Sequence, residues 1–182
     1  VLNGFEKELK GKLINFDSHV RLRLLYKDSM DSTRTVYQKL DSIKAIQTIV
    51  PYIHRNVIIR KGKNTDGVIV EGIRNKDIKK TLNISRFLVK GQLQLKTEDG
   101  SDGILMGRKL ANYLEADIGD QVYLFNIKQK SSFSSSPKIG KFTLTGIYHS
   151  GIAEYDDIFV YTNLKACQDL FDMNNFSGFQ MN

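Results

Sequence analysis

Apolar residues recur every four positions at the start of the chain. Phe5, Leu9 and Leu13 are separated by Glu6, Lys7, Glu8, Lys10 and Lys12. That spacing predicts an amphipathic helix with one buried stripe and one solvated face. A helix already under way at residue 1 implies a segment upstream of it. Residues 19–26, H-V-R-L-R-L-L-Y, alternate apolar with basic side chains and predict a half-buried strand. Asp31 and Ser32 offer an N-cap for a helix whose apolar positions are Val36, Leu40 and Ile43. The run 46–50 leads into Pro51, which cannot donate to a ladder and so marks an edge or a break. Two β-branched runs follow, 57–59 and 68–70, joined by the hairpin loop 62–67, G-K-N-T-D-G. The first eighty residues therefore read helix, strand, helix, strand, strand.

A second unit begins near Leu82, after a linker-like K-D-I-K-K at 76–80. Residues 104–106 form a short apolar strand, Gly107 follows, and Leu110, Ala111 and Leu114 give 108–114 helical spacing. Residues 118–121 turn tightly into a strand at 122–125. Further strands are expected at 142–147 and 158–161. Thr162 or Asn163 caps a last helix that carries Leu164, Cys167, Leu170 and Phe171 on one side. Residues 176–182 open one more strand and stop abruptly, so the C-terminus also reads as cut. Gly62, Gly67, Gly72, Gly107, Gly119 and Gly146 punctuate strand ends, where positive φ is wanted. Between two of the strands lies K-Q-K-S-S-F-S-S-S-P-K-I-G-K, residues 128–141. It is polar, serine-rich and basic, with Phe133 and Ile139 as its apolar members. It reads either as a disordered connector or as a docking element, because loops this long inside a domain usually carry a function.

Composition narrows the class. The chain has 182 residues, 41% apolar and 26% charged, with 8 Tyr and 10 Phe to build a core. That is globular rather than disordered composition, and it suits one or two small domains. No run approaches the ~18 consecutive apolar residues of a membrane span. The single cysteine, Cys167, excludes an internal disulfide and reads as a small buried residue. The net charge of +7 favours anionic partners such as nucleic acid, acidic proteins or phospholipid headgroups.

Catalytic and metal motifs are missing. His19, His54 and His149 share no ligand spacing and read as surface or strand residues. Glu154, Asp156 and Asp157 cluster beside Tyr155, but without the twelve-residue calcium-loop pattern they read as an exposed turn. There is no nucleophile elbow and no phosphate-binding glycine loop. No catalytic, cofactor or metal residue is assigned. An unrecognised hydrolase would need a pocket joining His149 to Asp156 or Asp157. A basic nucleic-acid module would show steep salt dependence, yet stacking aromatics and a recognition helix are absent.

Four stretches, in order, carry a resemblance. They are V-L-N-G-F-E-K-E-L-K-G-K-L (1–13), D-G-V-I-V-E-G-I (66–73), I-L-M-G-R-K-L-A-N-Y-L-E-A-D-I-G-D-Q-V (104–122) and F-T-L-T-G-I-Y-H-S-G-I-A-E-Y-D-D-I-F-V-Y-T-N-L-K-A (142–166). With them the chain resembles the periplasmic domain of ABC-transporter permeases typified by LolC/LolE and MacB, the FtsX-like permeases, and is most like the lipoprotein-releasing type. The resemblance implies an α+β fold. A mixed α/β porter-like subdomain is split in sequence, with a β-rich sabre-like subdomain inserted into it. Residues 1–80 would be the first porter half, 81–175 the sabre with its loop at 128–141, and 176–182 the start of the second half.

The resemblance also implies a membrane-anchored parent on the periplasmic side of the bacterial inner membrane. That parent would work with a second permease subunit and a cytoplasmic ATPase that uses the ATP, so the domain would be no enzyme and would hold no cofactor. In the lipoprotein-releasing branch the loop forms a hook that recruits a periplasmic lipoprotein carrier. On that reading Phe133, Pro137, Lys138, Ile139 and Lys141 are the partner-binding residues; a basic, apolar hook suits an acidic carrier with a hydrophobic mouth. The serine run departs from the pattern. MacB-like efflux and FtsX-like signalling are the alternatives within the class.

Overall fold

The structure is a computed structural model that describes residues 20–23, 30–81, 83–126 and 137–182. The predicted helix at 1–14, the parts of the 19–26 strand beyond Val20–Arg23, and Phe133 lie outside the described residues.

A long antiparallel hairpin organises the fold. Strand β2 (Ile49–Lys61) pairs along its length with β3 (Asn64–Ile73), and only Gly62 and Lys63 form the turn between them. The expected six-residue loop is therefore mostly strand. Gly62 sits at φ 56°, which a non-glycine residue adopts only with strain. Of the six glycines expected at positive φ, Gly62 and Gly119 adopt it. Gly107 answers a different need: a Cβ there would lie 2.3 Å from the carbonyl oxygen of Asp156.

The other elements are β1 (Val20–Arg23), α1 (Met30–Asp41), α2 (Ile78–Thr81), β4 (Leu88–Gly91) and β5 (Gly103–Gly107). They continue with α3 (Arg108–Tyr113), β6 (Gln121–Asn126), β7 (Lys138–Tyr148) and α4 (Ala153–Ile158). The last are β8 (Phe159–Asn163), α5 (Leu164–Phe171) and β9 (Gly178–Met181). Asn163, rather than Thr162, caps α5 by accepting from the Lys165 N–H. Asp31 and Ser32 lie inside α1 instead of capping it, and Ile158 ends α4 rather than starting a strand. Residues 76–80 are a turn and part of a short helix, pinned by buried Ile78 and an Arg74–Asp77 ion pair. Pro51 does not break β2. It pairs with Phe179 of β9, just before the ladder with β3 begins at Tyr52, so it has a strand on one side only.

Six strands close on themselves in the order β2–β3–β8–β5–β7–β6 and back to β2. The thirteen residues of β2 make this possible. One edge pairs with β3; the other pairs with β9 through residues 49–52 and with β6 through 58–60. Around the ring the cross-strand partners on one face are apolar: Val57 with Val68, Val70 with Val160, Val160 with Met106, Ile104 with Leu144, Phe142 with Val122, and Leu124 with Ile59. All are buried in one cluster. Period-two alternation places such residues on one face, and closure turns that face inward. Helix α5 packs against β3 and β7, on opposite sides of the ring, and against β2.

A second apolar cluster, including Tyr52, Ile73, Ile84, Leu105, Tyr148 and Tyr161, covers the opposite face. Strand β5 is buried on both faces, which is why 104–106 is continuously apolar rather than alternating. The architecture is α+β with a sheet-rich core. No described helix is long and apolar enough to cross a membrane.

Candidate functional site

The 127–136 segment springs from the β6–β7 ladder, where Asn126 opposes Lys138, Phe125 opposes Ile139 and Tyr123 opposes Lys141. Val122, Leu124 and Phe142 face the core, so alternation turns Tyr123, Phe125, Ile139 and Lys141 outward. Strand β2 extends this outer face, because Ile58 pairs with Phe125 and Arg60 with Tyr123. The Arg60 guanidinium lies 4.9 Å from the centre of the Phe125 ring, a cation–π contact. Ile139 is 53% exposed, an unusual position for a large apolar strand residue. The stem therefore presents a row of Ile58, Phe125 and Ile139 beside a row of Arg60, Tyr123 and Lys141.

Two contacts fix the stem. Asn126 is buried and donates through Nδ2 to the Leu170 carbonyl at 3.1 Å, satisfying an acceptor at the end of α5. Lys138 forms an ion pair with Asp172, the left-handed residue that ends α5. Pro137, Lys138, Ile139 and Lys141 are all exposed, and Phe133 lies outside the described residues. The structure brings Ile139 and Lys141 onto one face and turns Lys138 towards Asp172. Phe125 and Arg60, which complete that face, were not singled out in the sequence. The signal for Phe125 was there, since it alternates with core-facing Val122 and Leu124; the approach of Arg60 depends on the β2–β6 pairing.

Two histidines, expected as surface or strand residues, contact buried carboxylates: His54 lies within β2 and His149 just after β7. His54 Nδ1 lies 2.9 Å from Oε1 of Glu71, a fully buried carboxylate. Arg21 donates to both oxygens of that carboxylate and lies 5.5 Å from the centre of the Tyr52 ring, and Gln180 Nε2 adds a bond at 3.3 Å. Burial pushes the Glu71 carboxyl up. The His54 hydrogen bond and the Arg21 charge outweigh that and hold it below its ordinary value. This knot joins β1, β2, β3 and β9.

His149 Nδ1 lies 2.6 Å from Oδ2 of Asp156, which also accepts from the backbone and hydroxyl of Ser150 and from the Gly151 N–H. The acidic cluster is thus the helix α4, with Asp156 buried, rather than an exposed turn. The Ser150 hydroxyl donates to Asp156 and not to His149, so the group closes a turn and sets up no nucleophile–base pair. Burial pushes the Cys167 thiol far up, leaving it unreactive at neutral pH. Among the described residues no three His, Cys, Asp or Glu side chains lie close enough to hold a metal.

The fold matches known extracytoplasmic domains. The extracellular domain of the noncanonical ABC-type transporter YknZ from Gram-positive bacteria aligns with a TM-score of 0.56 at 12% identity, covering 92% of this chain and 83% of that one. The periplasmic region of MacB from Actinobacillus actinomycetemcomitans aligns at 0.53 and 14%, covering 92% and 72%. The chain thus has the fold of the periplasmic domains of MacB-like ABC permeases.

In sequence it is similar to LolC, the lipoprotein-releasing system transmembrane protein. It is 25% identical over 179 residues to that of Neisseria meningitidis, covering 96% of this chain and 42% of the relative. It is 22% identical over 182 residues to that of Xylella fastidiosa, covering 100% and 43%. The chain spans about two fifths of these relatives' length. No family model matches it. The resemblance carried by the four sequence stretches is borne out.

Proposed function

We propose that this chain is the extracytoplasmic domain of an ABC-transporter permease that releases lipoproteins from the inner membrane and hands them to a periplasmic carrier. Similarity to LolC along the whole chain carries the reading. The stem supports it chemically. Phe125 and Ile139, flanked by Arg60 and Lys141, suit an acidic partner with an apolar mouth, with charge steering the encounter and the apolar pair holding it. In this reading the domain stands on the periplasmic side and binds no cofactor. A separate cytoplasmic ATPase and a second permease subunit complete the machine. Residues 1–80 and 176–182 belong to the porter-like part and 81–175 to the sabre-like part.

The fold likeness to MacB and YknZ favours a second reading, a domain of an efflux permease. Photo-crosslinking from positions 133 and 139 of the full-length permease in living cells separates the two. Capture of a small soluble carrier, abolished by Lys138→Glu with Lys141→Glu, is expected for lipoprotein hand-off. Capture of a tube-forming or adaptor protein would assign efflux. Absence of any crosslink would make the loop a passive connector and sink the hand-off.

A further inference from the structure

A cavity of about 440 Å³ opens at the end of β2 away from the ring closure. Its walls are Tyr37 of α1, Pro51 of β2, Leu164 at the start of α5, Phe176, and Phe179 of β9. The aromatic walls support one another: Phe179 lies 5.8 Å from Tyr37 and 5.7 Å from Phe176, centre to centre. Arg34 and Arg74 also line it, and among the described residues no carboxylate does. Arg34 lies three residues from Tyr37 on α1, which puts both on one face of the helix. It has no carboxylate partner among the described residues. Arg74 gives its Nε–H to Asp77 and keeps its terminal N–H donors for another acceptor.

An apolar, aromatic trough with two guanidinium groups beside it is complementary to a molecule with an apolar chain and an anionic head. The size falls within the range of ~300–1,000 Å³ typical of small-molecule sites. A peptide would fit less well, because its backbone N–H and C=O groups need many partners, and among the described residues the walls offer only Asn174, the Tyr37 hydroxyl and the two arginines. Strand addition is closed as well, since β9 is already flanked by β1 and β2. We propose that this pocket binds a single-chain anionic amphiphile, its acyl chain against Tyr37, Phe176 and Phe179 and its phosphate or carboxylate on Arg34 and Arg74.

The test is calorimetric titration of the 182-residue chain with dodecyl phosphate below its micelle concentration, with circular dichroism reporting the folded state of every variant. Saturable one-to-one binding is expected, with dodecanoate also binding. Arg34→Gln should weaken it about tenfold, the loss of one charge-assisted hydrogen bond. This variant changes an exposed side chain, so the result survives even if Arg74→Gln fails to fold. Phe176→Ala should weaken it too. Dodecyltrimethylammonium and inorganic phosphate should not bind measurably. Equal binding of the cationic amphiphile, affinity unchanged in Arg34→Gln, or no saturable binding would each overturn the proposal. Inorganic phosphate binding as tightly as dodecyl phosphate would overturn the apolar half and leave only an anion site.

Discussion

Two regions of this molecule use the same chemistry in opposite ways. At the Glu71 knot an arginine stacks near an aromatic ring, and every charged group is turned onto a buried carboxylate. At the β6–β7 stem another arginine lies over another aromatic ring, but the surrounding cations and the isoleucine face outward. Burying the first set commits it to structure, because removing one partner strands the rest in a low-dielectric interior. Leaving the second set exposed costs little stability and keeps its side chains available to a partner. Substitutions in the two regions should therefore separate cleanly into losses of folding and losses of recognition.

The largest effect is expected from Glu71→Ala, which leaves Arg21, His54 and Gln180 without their acceptor. Unfolding by urea should show a loss on the order of 3–5 kcal/mol; a change below about 1 kcal/mol would show that the knot is not what ties β1 and β9 to the sheet. The same group governs acid stability. The folded-state pKa of Glu71 lies below its ordinary value of 4.5, so its contribution is fully present above that value and is lost as pH falls below it. The urea midpoint of the wild type should fall as the pH drops below 4.5, and Glu71→Gln should flatten that fall. An unchanged slope in the variant would assign acid sensitivity elsewhere.

Asn126→Ala tests the boundary between the regions, since its side chain anchors the stem to α5. It should cost about 1–3 kcal/mol by orphaning the buried Leu170 carbonyl, measured by the same urea titration. Lys138→Ala removes an exposed ion pair with Asp172 and should cost no more than about 1 kcal/mol. Ile139→Asp should change stability by no more than about 0.5 kcal/mol while abolishing crosslinking from position 133. If Ile139→Asp unfolds the domain instead, the stem is structural and the contrast with the knot fails.

Much of the architecture was legible in the chain. The β-branched runs 57–59 and 68–70 marked the hairpin strands, the runs 104–106 and 142–147 marked two central strands, and Asn163 marked the start of α5. Boundaries were less legible. The hairpin loop read four residues too long because Asn64, Thr65, Asp66 and Gly67 have turn-like chemistry, yet they extend the ladder opposite Ile58 to Lys61. Within the stem, Ile139 and Lys141 were legible as exposed positions, whereas the destination of Lys138 depends on Asp172, far along the chain.

The sequence by itself determined which face of each strand is apolar and where chain direction changes, because these are local properties with periods of two or 3.6 residues. It also carried the family resemblance in four ordered stretches. Which strand lies beside which was decided only in three dimensions. Period-two alternation placed His54 and Glu71 on definite faces, but it could not make them cross-strand partners, nor bring Arg21 and Gln180 to the same carboxylate. Those partners lie 50 and 109 residues from Glu71. Their meeting requires the β1–β9–β2–β3 order, which long-range strand pairing establishes and no local period encodes.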